Sequence, residues 1–189
     1  MTETLRVEAT SMAGGLVLRP WHPDDAEGVI EAYRGPGMSL WTTRSIETYE
    51  DALSWIELQR QDRERGIRLG FAVCEVQPGG GEGELLGNVV LKWHEHPSRE
   101  AGEVGYWTMP HARGRGVAPR AVEALSTWAF DIFAAEGLRR LVLFHQVDNL
   151  ASCRVAEKSG FRFDRVLPPI PPYPKDGHLH VRHVRAAGR

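Results

Sequence analysis

The stretch Met109-Pro110-His111-Ala112-Arg113-Gly114-Arg115-Gly116-Val117-Ala118 lies between a β-rich segment and a long helical pattern. Gly114 and Gly116 let the backbone turn tightly and approach a ligand, because they carry no Cβ. The helix that follows presents free N–H groups and the positive end of its dipole. Arg113 and Arg115 add positive charge beside these donors. The stretch therefore predicts a cradle for an anion such as a diphosphate.

Pro119 fixes the start of that helix, because proline is tolerated only in the first turn. The donors available to an anion are then the N–H groups of Gly114 to Ala118. A solvated glycine-rich turn is the competing interpretation. Two nucleotide-binding motifs fit less well. The stretch lacks the Gly-Lys-Ser/Thr of a Walker A loop, and Pro119 occupies the position of the third glycine in a Rossmann fingerprint.

Outward from the loop, hydrophobic periodicity predicts two helices, then a β-meander, then a β-α-β-α-β succession. The helical segments are Pro23 to Gly35, Thr48 to Arg65, Val117 to Phe133 and Asn149 to Ser159. The strand segments are Leu16 to Arg19, Leu69 to Val76, Leu85 to Trp93, Glu103 to Met109, Leu141 to Phe144, Phe161 to Val166 and His178 to Val184. Residues 1–14 show no periodicity and are interpreted as a flexible arm.

This order predicts a single α/β domain over residues 15–189, with a mixed sheet and helices on both faces. A site is expected at the carboxyl ends of the central strands. Leu141 to Phe144 is continuously apolar, so we expect this strand to be buried on both faces.

Composition narrows the class of protein. The 189 residues are 42% hydrophobic and 25% charged, with a formal net charge of -2, which excludes a disordered chain. This nearly neutral charge gives no indication that the protein binds nucleic acid or an anionic membrane. No apolar run approaches the roughly 18 residues of a membrane span, and the first residues lack a signal-peptide core. Cys74 and Cys153 have neither metal spacing nor a disulfide framework, which favours a reduced, cytoplasmic protein.

Three motifs resemble those of the GNAT superfamily of N-acetyltransferases. Arg113-x-x-Gly116-x-Ala118 is similar to the family's acyl-CoA pyrophosphate loop. Residues 149–161 are similar to the family's Asn-x-x-Ser-x-x-Val-Ala-x-x-x-Gly-Phe, and Glu103-Val104-Gly105-Tyr106-Trp107 to the strand before the loop. The likeness covers nearly the whole chain. It is greatest to the subgroup that includes the ribosomal-protein alanine N-acetyltransferases.

The resemblance implies the GNAT acyl-CoA acyltransferase fold, an α/β (α+β) domain with a mostly antiparallel sheet. Its two central parallel strands splay apart to admit acetyl-CoA; here they are the strands that begin at Glu103 and Leu141. Backbone groups near Trp107 and Met109 would bind pantetheine as an added strand does. Arg113, Gly114, Arg115, Gly116, Val117 and Ala118 would hold the diphosphate. Asn149 and Ser152 would face the thiol arm, Asn149 also being a natural helix N-cap.

Acetyl transfer from a thioester needs a neutral amine, a donor for the oxyanion and a proton for the thiolate. Glu103 is our candidate base, acting through a water, although a surface carboxylate is an equal alternative. His94 is a second candidate base. Ser152 resembles the family's proton donor. Tyr106 ranks lower as an acid, because strand alternation points it away from Glu103.

The acceptor is predicted to be a primary amine, of a protein N-terminus or a small molecule. Tyr33, Trp41 and Trp55 would line its site. At least half of the prominent tryptophans and tyrosines are expected in the core instead: Trp21, Trp41, Trp55, Trp93, Tyr33 and Tyr49. The histidines at 94, 96, 178, 180 and 183 show no complete ligand set, so no metal is predicted. The Pro168 to Pro174 stretch shapes either the acceptor mouth or a homodimer contact.

The predicted function is an acetyl-CoA-dependent N-acetyltransferase that transfers directly within a ternary complex. The alternative is a non-catalytic acyl-CoA-binding or regulatory module on the same fold. A nucleotide-binding protein that uses the same anion cradle is a second alternative.

Overall fold

The strands and helices follow the predicted order. The computed structural model describes residues 3–35, 38, 44–93, 99–169, 171 and 173–184. Its strands are Leu5–Val7 (β1), Leu16–Arg19 (β2), Arg68–Val76 (β3), Glu82–Lys92 (β4), Ala101–Thr108 (β5), Arg140–Gln146 (β6), Arg162–Leu167 (β7) and Gly177–His183 (β8). Its α-helices are Ala26–Arg34 (α1), Tyr49–Glu64 (α2), Val117–Phe133 (α3) and Leu150–Lys158 (α4).

Local sequence signals set the helix starts. A 3₁₀ turn at Pro23–Asp25 leads into α1. Thr48 caps α2: its side chain accepts from Asp51 N–H, and the Asp51 carboxylate accepts from Thr48 N–H, a reciprocal capping box. Asn149 caps α4 through a hydrogen bond from Ser152 N–H. The predicted helix boundaries are therefore confirmed to within one to three residues.

The eight strands form one sheet in the order β1-β2-β3-β4-β5-β6-β8-β7. Among these pairings β5 and β6 are parallel, and the others are antiparallel. The β5–β6 ladder joins Ala101 to Arg140, Gly102 to Leu141 and Glu103 to Val142, and it ends there although both strands continue. The predicted splayed pair of central parallel strands is thus present.

Side-chain alternation builds a core on each face of the sheet. Leu16, Leu18, Phe71 and Val73 pack with the buried face of α3. Their neighbours Val17, Ala72 and Cys74 pack on the opposite face with residues of α1 and α2, including Val29 and Trp55. α4 contacts α3, β6 and β7 and so lies on the α3 face. This confirms helices on both faces of a mixed sheet.

Two local expectations need correction. β6 is not buried on both faces: its burial alternates, and Phe144, which lies beyond the last residue of β6 paired with β5, is 44% exposed. The segment before residue 15 contains strand β1, which pairs with β2. The guanidinium of Arg120 binds this segment by donating hydrogen bonds to the carbonyl oxygens of Glu8 and Gly14, each at 2.7 Å. The division of the chain into an arm and a domain at residue 15 stays a prediction.

Candidate active site

The loop between β5 and α3 has the conformation that the glycines predict. Gly114 and Gly116 both adopt left-handed backbone angles, with φ of +76° and +74°. Gly116 is the N-cap of α3, and no acidic residue occupies the helix's first turn. The first N–H groups of a helix have no acceptor within it, so this turn offers several aligned donors to an anion. Helix α3 begins two residues before Pro119, as predicted.

The two loop arginines differ in their engagement. Arg115 donates to Glu75 Oε1 at 2.7 Å in an exposed ion pair. Arg113 makes only a long contact from Nε to the carbonyl of Thr108, at 3.4 Å. Exposed ion pairs contribute about 1 kcal/mol or less, so an arriving diphosphate can compete for Arg115.

A cavity of about 450 Å³ opens where β5 and β6 diverge. Its walls include four residues of the predicted site: Glu103, Trp107, Asn149 and Ser152. Tyr33 and Trp55, the proposed acceptor residues, also line it. The structure therefore brings together side chains from four separate segments of the sequence.

Met109 differs from the other predicted cofactor-binding residues in its contacts within the protein. Its side chain is 2% exposed and belongs to the core. Its N–H donates to Leu86 O at 2.9 Å, and its carbonyl accepts from Ala112 N–H at 3.0 Å. Met109 therefore has no free donor for pantetheine, and it supports the turn instead.

Glu103 is buried rather than on the surface. Its side chain is 6% exposed, and Lys92 Nζ lies 2.5 Å from Oε1 in an ion pair. The two residues are cross-strand partners of β4 and β5, and both line the cavity. A desolvated carboxylate that faces a cavity is a stronger functional candidate than an exposed one. His94, the second candidate base, lies outside the described residues, as does Trp41.

Tyr106 and Ser152 form a polar contact between the two sides of the cavity. Tyr106 Oη lies 2.8 Å from Ser152 Oγ. Ser152 is 8% exposed, and its backbone N–H donates to Asn149 Oδ1 at 3.1 Å. Burial raises the pKa of Tyr106 above its ordinary value, so this phenol keeps its proton throughout the neutral range. One hydroxyl donates to the other, and the acceptor keeps its own hydrogen for a third group.

The sequence analysis undervalued Tyr106 for a reason that the structure explains. Alternation does place it opposite Glu103: Tyr106 packs against the α3-side core, and Trp107 contacts Trp21, a member of the α2-side core. The cavity passes between the splayed strands, so both side chains still line it. Opposite placement suits an acid and a base that serve opposite ends of one reaction.

Aromatic side chains form the wall on the α1–α2 side. Trp55 and Tyr33 have ring centroids 6.2 Å apart, and Trp55 meets Trp21 edge to face at 4.8 Å. Trp21 and Trp55 are also core residues, at 9% and 4% exposure. Of the Pro168 to Pro174 stretch, Pro168 and Tyr173 line the cavity, whereas residues 170 and 172 lie outside the described chain.

A cluster of three histidines and one cysteine adjoins this site, with His145 itself lining the cavity, and the sequence analysis did not assemble it. His145, Cys153, His178 and His180 each offer one donor atom, and all four atoms lie within 4.8 Å of one another. Burial lowers the pKa values of His145 and His180, which favours neutral imidazoles. The signal available in sequence was the His-x-His pattern of β8; its pairing with His145 depends on the β6–β8 register.

Comparison with known proteins gives the class. The family model described as the acetyltransferase (GNAT) domain matches residues 15–162. The chain therefore belongs to the GNAT acetyltransferase family, which confirms the predicted fold and the predicted enzyme class, an N-acetyltransferase.

Among the described residues, no helix combines the length and the apolar character required to cross a bilayer.

Individual relatives refine this class. The chain is 27% identical over 155 residues to an N-acetyltransferase of Bacillus subtilis, YoaA, covering 80% of this chain and 82% of that protein. It is 29% identical over 130 residues to the ribosomal-protein-serine acetyltransferase of Escherichia coli, covering 68% and 66%. The predicted likeness to ribosomal-protein acetyltransferases is thus confirmed, with a relative named for serine rather than alanine. The fold matches the Microcin C7 self-immunity acetyltransferase MccE, solved with acetyl-CoA and AMP, at a TM-score of 0.74 and 18% identity over 93% and 98% of the chains.

Gly116→Trp tests the anion cradle. The indole would cover the helix N-terminus, and we expect the Kd for coenzyme A to rise by about 10²-fold or more, measured by calorimetric titration. Gly137→Trp is the matched control, because Gly137 also has positive φ (+111°) and, like Gly116, has open space around the Cβ position. Both substitutions place a side chain at positive φ and so strain the backbone, by about 1–2 kcal/mol or more. Equal affinity in the two variants would contradict the assignment of the loop.

Tyr106→Phe and Ser152→Ala test the hydroxyl pair. We expect each substitution to lower kcat by about 10²-fold with a smaller change in cofactor affinity. If the two hydroxyls act as a unit, the double variant should lose little more than the worse single variant. Steady-state kinetics on all four proteins measures this coupling. Independent, multiplicative losses would show that the pair does not act in one step.

Proposed function

We propose that this enzyme transfers the acetyl group of acetyl-CoA directly to a primary amine within a ternary complex. The observation that carries the proposal is one cavity, at the divergence of β5 and β6, with Glu103 on one side and the Tyr106–Ser152 pair on the other. Holding two reactants in such a cavity can lower the barrier by about 7–11 kcal/mol in good geometry. Much of the catalysis then comes from placement alone.

Acetyl-CoA as the donor is supported by family membership and by the loop. The diphosphate would lie on the N–H groups between Gly114 and Ala118, at the positive end of the α3 dipole. The pantetheine arm would enter between β5 and β6, where backbone groups have lost their cross-strand partners beyond Glu103 and Val142. That path leads the thioester toward Ser152.

In the proposed reaction the neutral amine attacks the thioester carbonyl, and a C–N bond forms. The tetrahedral intermediate then breaks its C–S bond. The leaving thiolate takes a proton from the Tyr106–Ser152 pair, while the nitrogen loses a proton to Glu103 through a water. The pair then regains a proton from solvent, and Glu103 releases one to solvent. Because the amine attacks the thioester directly, neither cysteine forms a covalent intermediate.

An α-amine is the acceptor that fits this machinery best. Its ordinary pKa is about 8, whereas that of a lysine side chain is about 10.4, so a weak base such as a carboxylate deprotonates it more readily. The name of the Escherichia coli relative, a ribosomal-protein-serine acetyltransferase, favours a protein N-terminus. A small-molecule amine remains the second candidate, and both acceptors fit an enzyme of the cytoplasm.

A panel of amines tests the activity. We expect release of free coenzyme A, and a mass increase of one acetyl group, on peptides with a free N-terminus. The matched control is the same peptides with a blocked N-terminus and an internal lysine, which should react at least about 10-fold more slowly. Binding of acetyl-CoA without turnover on any amine would favour the non-catalytic module. Binding of ATP or NAD that competes with coenzyme A would favour the nucleotide-binding alternative.

Glu103→Gln tests the base. At about pH 7 an α-amine is largely protonated, so we expect kcat/KM to fall by about 10²-fold, with much of the loss recovered at about pH 9.5. Glu100→Gln is the control, because Glu100 is exposed and pairs with Arg140 at 3.5 Å. Lys92→Met removes the ion-pair partner of Glu103 and keeps the carboxylate. A loss in Glu103→Gln that is equal at all pH values, and matched by Lys92→Met, would assign Glu103 a structural role.

A further inference from the structure

The cluster of His145, Cys153, His178 and His180 has no part in the proposed acetyl transfer. Its members come from three elements: His145 from β6, His178 and His180 from β8, and Cys153 from α4. His145 lies directly across from His178 in the β6–β8 register, and His180 is two residues further along the same face. Helix α4 packs over this part of the sheet and contacts β6. The fold thus brings four possible metal-ligand atoms, three imidazole nitrogens and one sulfur, close together.

Two of the distances between donors match those around a tetrahedral metal. His145 Nε2 lies 3.2 Å from His180 Nε2, and Cys153 Sγ lies 3.4 Å from His178 Nδ1. With Zn–N bonds of about 2.0–2.1 Å and Zn–S bonds of about 2.3 Å, a tetrahedron has N···N edges of about 3.3 Å and N···S edges of about 3.6 Å. Two edges are therefore already formed, and the longest separation in the cluster is 4.8 Å.

The surroundings of His145 fix which nitrogen is available. His145 Nδ1 lies 2.8 Å from the carbonyl of Gln146, to which it can only donate. This hydrogen bond places the proton on Nδ1 and leaves the lone pair on Nε2, the atom that faces His180. Metal-ligating histidines commonly have their other nitrogen held by a backbone carbonyl in this way.

We propose that His145, Cys153, His178 and His180 form a four-coordinate Zn²⁺ site. One thiolate and three imidazoles are a donor set that zinc prefers, and hard cations such as Mg²⁺ and Ca²⁺ do not. On binding, the Cys153 thiol releases its proton to solvent as the S–Zn bond forms, and no redox change occurs. Four protein ligands leave no open position for a substrate, so the metal is structural.

The location of the site suggests what it stabilises. Cys153 follows Ser152 in the first turns of α4, and Asn149 caps the same helix. A zinc ion held by Cys153 and by β6 and β8 would fasten the start of α4 to the sheet. Ser152 would thereby stay within hydrogen-bond distance of Tyr106. The metal acts on the hydroxyl pair by positioning it, and it does not touch the reacting atoms.

Metal analysis of the full-length chain, purified without a histidine tag, tests the site. We expect about one Zn²⁺ per chain by elemental mass spectrometry after growth with added zinc. Co²⁺ substitution should give the visible bands of a tetrahedral ion and a thiolate charge-transfer band. Cys153→Ser should lose the charge-transfer band, and His180→Gln should lower the metal content at least about 10-fold. His183→Gln, an exposed histidine of the same strand, is the matched control and should keep both.

Alkylation keeps the test decisive even if a ligand variant fails to fold. In the wild-type protein, a chelator should raise the rate of Cys153 alkylation by about 10-fold or more, because a zinc-bound thiolate is shielded. Cys74 is an internal reference: it is 1% exposed, and burial raises its pKa to about 12, so it should stay unmodified. The proposal would be overturned if the chain bound neither Zn²⁺ nor Co²⁺ and the chelator did not change the rate of Cys153 alkylation. The cluster would then consist of two hydrogen-bonded pairs, His145 with His180 and Cys153 with His178.

Discussion

The divergence of β5 and β6 is the constraint on which the rest of the site depends. Up to Glu103 and Val142 the two strands share a parallel ladder, and Gly102 permits the close packing of that paired end: a Cβ there would lie 2.7 Å from Leu91 Cδ1. Beyond it, backbone groups lose their cross-strand partners, and a buried unpaired group costs about 1–3 kcal/mol. Interrupting the sheet is unfavourable unless something else satisfies those groups. A ligand that carries amides satisfies them in the manner of an added strand.

The same divergence explains how the proposed base, Glu103, and a member of the proposed acid pair, Tyr106, can serve one site. Neighbouring residues of one strand normally serve opposite faces of a sheet and cannot cooperate. Where the sheet is open, Glu103 and Tyr106 line a single cavity from opposite faces. The thioester would be approached by the amine from the side of α1 and α2, and the thiolate would leave on the side of α4. On this proposal the loop at Gly114 and Gly116 would anchor the cofactor away from the reacting atoms, so that binding and catalysis could be altered separately.

Local signals made much of this predictable from sequence. The helix that begins after Thr48 followed from hydrophobic periodicity, the start of α4 also from Asn149 as a natural N-cap, and the loop from its glycines and Pro119. Properties that depend on partners distant in sequence did not follow. Phe144 looked buried because its strand is apolar, yet its exposure depends on where β5 leaves β6. The Tyr106–Ser152 contact and the histidine cluster depend on strand register and on the placement of α4, which no local pattern encodes.

The central claim is that the gap between β5 and β6 holds the thiol arm of the cofactor. A crystal structure of the complex with coenzyme A tests it most directly. We expect pantetheine amides hydrogen-bonded to β5 beyond Glu103, the diphosphate on the N–H groups of residues 114–118, and the sulfur within reach of Ser152 or Tyr106. Coenzyme A bound elsewhere, with β5 and β6 rejoined or the gap filled by protein side chains, would contradict the account.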